Sequence, residues 1–270
     1  MLSVARYSVK CARLAPWIKF LWYCEAENIN VHYKLLPTDS IDVILNLSSG
    51  IIYEDGSRRI SAPPFHINGL RNKHSYIQQT GNIRIFGISF CPFGLYPFVN
   101  KSLSGISDGI VDLHELSLTL AQSLESATSS GIDTESIIGN IEKSLLPKLQ
   151  VTEDYVNKAK LIRDYLEADS NITIQAFCAE HGVHTKTFLR NALHYTGYTP
   201  KILHSIKRFQ KAGNQLIYQN PGQLSDIAYD NDFADQAHFI REFRRFSGIA
   251  PRAFQHDKNT VKENVEYLYR

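Results

Sequence analysis

The C-terminal part of the chain repeats itself. A displacement of 51 positions lays Phe188 on Phe239, Arg190 on Arg241, Tyr195 on Phe246, Gly197 on Gly248 and Pro200 on Pro251. Each copy ends in Gly-x-x-Pro: Gly197-Tyr198-Thr199-Pro200 and Gly248-Ile249-Ala250-Pro251. Glycine stops one helix by taking the left-handed conformation, and proline opens the next, where its missing N–H costs nothing. Upstream, Ile174, Phe177 and Cys178 form the apolar side of a short segment ended by Gly182. Leu224, Ile227 and Ala228 do the same before Asp232. A short helix, a turn of a few residues and a second amphipathic helix make a helix-turn-helix. Small residues at Cys178 and Ala228 let the two axes cross closely. Phe188 and Phe239 face inward, and Arg190 and Arg241, two residues on, turn about 200° away.

A helical bundle with merely solvated arginines would also show one such copy. Two in-register basic copies, joined by a helix from Pro200 to about Tyr218, set that account aside. A rigid connector of this kind can place two recognition helices in successive major grooves, roughly 34 Å apart. Charge follows the same division. Residues 1–150 carry 13 Lys+Arg and 13 Asp+Glu, whereas residues 184–256 carry 10 against 5. A cation-rich window beside a neutral half suits a polyanion-binding module appended to a neutral domain.

The first ~110 residues read as strands. Ile41–Leu47 and Ile83–Phe90 are short and rich in β-branched or aromatic residues. Asp55-Gly56 lies between Ile51-Ile52-Tyr53 and Arg58-Arg59-Ile60, a two-residue hairpin signal. Several short strands separated by Gly, Pro and Asn suggest a sandwich or barrel. From Asp112 the period becomes helical. Asp112 and Glu115 have capping-box spacing before Leu113, Leu116, Leu120 and Leu124; a turn over 126–133 precedes Ile137, Ile138, Ile141, Leu145 and Leu149. These two stripes serve the core or a partner subunit. Pro147–Thr152 marks a domain boundary, after which Thr152, with Glu153 and Asp154, caps a helix to about Ala168.

The residues from Asp226 to Phe254, with the first copy and the connector segment Lys207-Arg208-Phe209-Gln210-Lys211-Ala212, resemble the DNA-binding domain of the AraC/XylS family over about 155–256. Three positions depart from the family pattern. Asp232 stands where Gly is usual, His184 and Ala234 stand at caps usually filled by Ser, and Gln255 replaces a final Arg. The resemblance implies an α+β chain. Residues 1–150 would form a β-rich, cupin-like sensor and dimerisation barrel with following helices. Residues 151–257 would form an all-α double helix-turn-helix domain, and 258–270 a tail.

Carried over by position, the groove-facing residues are Lys186, Leu189 and Arg190 in the first unit and Gln236, His238 and Arg241 in the second. Arg or Lys donates to guanine, Gln pairs with adenine, and Leu189 would read a thymine methyl or belong to the core. Lys207, Arg208, Arg244, Arg245 and Arg252 are expected at phosphates, which position without specifying. Implied partners are double-stranded DNA, a small-molecule effector in the N-terminal domain, a second copy through the helices at 113–127 and 134–149, and RNA polymerase for an activator.

Other classes find less in the residues. Cys11, Cys24, Cys91 and Cys178 lie far apart, unlike a zinc site, a disulfide framework or the clustered thiols of a DNA-alkylation repair sensor. His32, His66, His74 and His114 lack the spacing of a metal-binding cupin, so no metal, cofactor or catalytic set is expected. Tyr33, Asp39, Arg71, Tyr76 and Arg84 are pocket candidates, and no effector-binding residue is assigned. Charges at Arg6, Lys10, Arg13 and Lys19 interrupt the start, and no apolar run reaches membrane length, so a cytoplasmic chain is expected. The competing reading is a regulator without an effector, whose N-terminal domain only dimerises.

Overall fold

The computed structural model describes residues 3–131, 133–168, 172–218 and 223–255. The tail expected at 258–270 lies outside them. Strands occupy the first part: β1 (Ser3–Tyr7), β2 (Ile18–Leu35), β3 (Ile41–Asn46), β4 (Ile51–Asp55), β5 (Arg58–Ser61), β6 (Phe65–Asn68), β7 (Ser75–Phe90) and β8 (Ile110–Asp112). They form one antiparallel sheet in the order β1-β2-β7-β3-β6-β8, with the β4–β5 hairpin set on β7. The Asp55-Gly56 signal falls at this hairpin, where Asp55 pairs with Arg58 and Gly56 has φ 59°.

Two long strands organise the sheet. β2 pairs with β7 from Ile18↔Phe90 to Leu35↔Ser75, broken by a bulge between Ala26 and Ile29. Along its other edge β7 takes β3 over Ile85–Phe90 and β4 over Tyr76–Gln79. The pleat alternates burial between two clusters. Phe86, Ile88 and Phe90 join Val43, Leu45 and Ile67 on the helix-covered face. Ile83 and Ile85 join Cys24, Ile44, Ile51 and Tyr53 in a smaller cluster on the opposite face.

Helices follow: α1 (Tyr96–Val99), α2 (Leu113–Leu116), α3 (Leu118–Ser129), α4 (Thr134–Leu145), α5 (Glu153–Glu167), α6 (Ile174–Glu180), α7 (Thr185–Thr196), α8 (Pro200–Tyr218), α9 (Leu224–Asp230), α10 (Gln236–Ser247) and α11 (Pro251–Phe254). The stripe from Leu113 is not one helix. Ser117 is extended (φ −154°), which separates α2 from α3 and lets Asp112 cap α2 through the His114 N–H at 2.8 Å. Helix also continues to Ser129, further than the turn expected at 126–133. Leu120, Leu124, Ile137, Ile141 and Leu145 are buried in the same cluster as the sheet face. Of the two uses expected of these stripes, core or partner subunit, these side chains serve the core. Thr152 caps α5 as expected, its hydroxyl accepting the Tyr155 N–H at 3.2 Å.

Candidate nucleic-acid interface

α6–α7 and α9–α10 are two helix-turn-helix units, joined by the 19-residue α8. Their ends repeat in atomic detail. Gly197 (φ 84°) and Gly248 (φ 78°) close α7 and α10 in the left-handed conformation, donating to the carbonyls of Leu193 and Arg244. The residue before each glycine is a buried hydroxyl that the sequence reading passed over. Thr196 donates to the Ala192 carbonyl at 2.8 Å and accepts the Tyr198 N–H at 3.0 Å. Ser247 donates to the Phe243 carbonyl at 2.8 Å and accepts the Ile249 N–H at 3.3 Å. The 51-residue alignment places these hydroxyls on each other, which is the signal that could have found them.

The first helices follow a displacement of 50, not 51. Val183 N–H donates to the Cys178 carbonyl and Phe233 N–H to the Ala228 carbonyl, each at 2.9 Å. One extra residue then precedes α10, so the cap is Asp235 rather than Ala234. Its carboxylate accepts the His238 N–H at 2.6 Å. His184 caps α7 with no side-chain hydrogen bond. Asp232 adopts φ 56°, the turn conformation that glycine usually fills.

Lys186 and Arg190 are exposed on α7, one turn apart on one face, with Leu189 half-buried beside them. On α10, Gln236 and Arg241 are exposed, and Arg244 shares the Arg241 face one turn later. His238 turns back onto its own turn. Its Nδ1 accepts the Ala234 N–H at 3.2 Å, and its ring meets Phe233 edge-on.

The cations grouped as phosphate contacts separate. Arg244 and Arg252 are exposed. Arg245, also exposed, pairs with Glu242 at 3.3 Å and covers the Phe246 ring. Lys207 and Arg208 are half-buried on α8 and bond within the chain. Lys207 Nζ donates to the Leu166 carbonyl at 2.8 Å, satisfying an orphan acceptor near the C-terminal end of α5. Arg208 donates to the Asp232 carbonyl at 3.1 Å, lies 4.5 Å over Phe233 and faces Glu242 at 3.5 Å. Burial lowers its pKa. Both hold helices together.

Of the pocket candidates of the first domain, Tyr33 pairs with Ile77 on the β2–β7 ladder, beside Tyr76. Tyr76 and Arg84 are eight residues apart on β7, roughly 26 Å. Asp39 is paired with Lys19 at 2.5 Å. Arg71, buried, is held by Asn68 at 2.8 Å and lies over Tyr53. The histidines are likewise dispersed: His32 pairs with Glu54, and His114 with Asp112 and Glu125. His66 accepts the Tyr53 hydroxyl at 3.0 Å and donates to the Pro63 carbonyl at 2.7 Å. Among the described residues no three His, Cys, Asp or Glu side chains are grouped to hold a metal ion, and no helix is long and apolar enough to cross a membrane.

Residues 177–257 match a helix-turn-helix domain, and residues 11–112 match a domain of unknown function (DUF6597). Among solved structures the chain is similar to ToxT from Vibrio cholerae O395, at 13% identity over 95% of this chain and 96% of that one, with a TM-score of 0.45. It is similar to unsaturated fatty acid-bound ToxT from V. cholerae strain SCE256, at 13% over 85% and 95%, with a TM-score of 0.45. It is also similar to the AraC-like transcriptional activator CuxR, at 17% over 70% and 74%, with a TM-score of 0.32. No curated protein sequence matches. Two helix-turn-helix units on one connector, with exposed basic helix faces, define a DNA-binding transcription regulator. The helix-turn-helix match over residues 177–257 covers most of the segment, Asp226 to Phe254 included, whose residues resemble the AraC/XylS DNA-binding domain.

Proposed function

We propose that the chain reads two DNA half-sites with α7 and α10 and that an effector bound by its N-terminal domain controls this reading. Lys186, Leu189 and Arg190 face bases from the first unit; Gln236 and Arg241 do so from the second. His238 acts mainly by shaping its turn. Arg244, Arg245 and Arg252 take phosphates. The observation that carries the proposal is the repetition of one exposed basic face, Arg190 and Arg241, on two units with the same internal bonding. Replacing either arginine by alanine should cost about 1–3 kcal/mol of discrimination at its own half-site. Binding equal to the parent in both variants contradicts the assignment.

Support for control by the N-terminal domain comes from how it is joined. Trp17 stacks on Tyr155 at 5.3 Å, and Tyr96 meets Tyr195 of α7 edge-on at 4.6 Å. A ligand that reshapes the first domain therefore acts on packed helices rather than through a free tether. A metabolite panel screened by thermal unfolding tests this, since a ligand at 100 Kd stabilises by about 2.7 kcal/mol. A panel without a shift favours an N-terminal domain that only dimerises. Homodimerisation, contact with RNA polymerase in activation and a cytoplasmic location belong to the same reading, and sedimentation tests the first.

A further inference from the structure

The two glycines that close the recognition helices share one support. A methyl group on Gly197 would stand 2.3 Å from Ser107 Oγ and 2.7 Å from the Leu103 carbonyl oxygen. One on Gly248 would stand 2.4 Å from Cε1 of His74. Of these repeat-equivalent positions, Gly197 is buried against the N-terminal domain, and Gly248, itself exposed, is approached by the His74 ring. Ser107 Oγ also donates to the Gly197 carbonyl at 2.7 Å, and Leu103 N–H donates to the His194 carbonyl at 2.8 Å.

Ser107 and His74 stand on two loops that are braced together. Gly69 N–H donates to the Gly109 carbonyl at 3.2 Å and Asp108 N–H to the Leu70 carbonyl at 2.8 Å. Asn72 N–H donates to Asp108 Oδ1 at 2.9 Å. The backbones touch so closely that a methyl on Gly69 would meet the Ile106 carbonyl. Tyr198, the residue after Gly197, is buried beside Asp108 and Arg71 of the same brace. The first unit has a further aromatic anchorage through Tyr195, so it is the fixed reference. The second is held to the brace where His74 meets Gly248.

We propose that this double loop is a gauge: by holding both Gly-x-x-Pro corners it sets the separation of the two recognition helices, with His74 as the positioning residue for α10. The consequence is a preferred spacing between half-sites that belongs to the N-terminal domain. The inference rests on the reading of α7 and α10 as recognition helices.

The test uses the full chain on its selected DNA site and on versions with one base pair inserted or removed between the half-sites. The parent should prefer its own spacing by about tenfold, the cost of a typical mismatch. His74→Ala and Ser107→Ala should reduce that preference to about threefold or less, with base preference inside each half-site unchanged. His74→Phe, which keeps a ring against Gly248, should keep the parent's preference and separates positioning from loss of folding. Parent-like spacing profiles in both alanine variants overturn the gauge, as does a parent with base preference but no spacing preference. A parent that selects no DNA sequence overturns the recognition-helix reading first and the gauge with it.

Discussion

The carboxylate of Asp235 accepts the backbone N–H of His238 at 2.6 Å, so the second recognition helix starts on a charged cap that the first, headed by His184, lacks. An acceptor at this position satisfies one of the donors left open at a helix start. Asp235→Ala should lower stability by about 1 kcal/mol, whereas His184→Ser should raise it by a few tenths to about 1 kcal/mol. Urea unfolding of the two variants measures both signs; a His184→Ser variant less stable than the parent contradicts the account of α7.

Arg208 and Arg252 should behave oppositely. Arg208 is committed to Asp232, Glu242 and Phe233, so its alanine variant should lose about 1–2 kcal/mol of stability. The salt dependence of DNA binding should stay as in the parent. Arg252→Ala and Arg244→Ala should leave stability nearly unchanged and lower the slope of log affinity against log salt by about 0.9 each. Equal slopes in all three variants would remove the distinction between structural and phosphate-contacting cations.

The sequence made the helical half legible because its signals are local. Helix stops, openings and caps at Gly197, Pro200, Gly248, Pro251 and Thr152 act within a few residues of the chain. Asp112 was also readable as a cap, but the break at Ser117 was not, since Leu113, Leu116, Leu120 and Leu124 keep helical spacing across it. The extra residue before Asp235 escaped because the 51-residue register was set on α7 and α10 alone. Most of the β domain rests on distant pairing. The ladder from Ile18↔Phe90 to Leu35↔Ser75 has no local signature, so β1 and the length of β2 and β7 were missed. Lys207 and Arg208 looked like surface cations because nothing in their neighbours in sequence announces Leu166, Asp232 or Glu242.

Two groups in the sheet, half-buried Asp42 and buried His66, predict opposing pH responses. Burial pushes Asp42 up to about 6 despite its bond from Ser89, and burial holds His66 down to about 4. Asp42 prefers its neutral form in the fold, so its stabilisation is present below about pH 4 and lost as pH rises through about 6. His66 also prefers to be neutral, so its stabilisation is present above about pH 6.5 and lost as pH falls through about 4. Each amounts to about 3 kcal/mol and largely offsets the other in the parent. Asp42→Asn should therefore make stability rise with pH between these limits, and His66→Gln should make it fall. Unfolding curves at pH 4, 5 and 6.5 check both; parallel responses in the two variants contradict the burial argument.

Selection of binding sites from random DNA by the full chain addresses the central claim. The account predicts a bipartite site, two short half-sites about one helical turn apart on one face of the duplex. Arg190→Ala should relax one half-site and Arg241→Ala the other. A single contiguous element relaxed equally by both variants, or no enriched sequence at all, would contradict it.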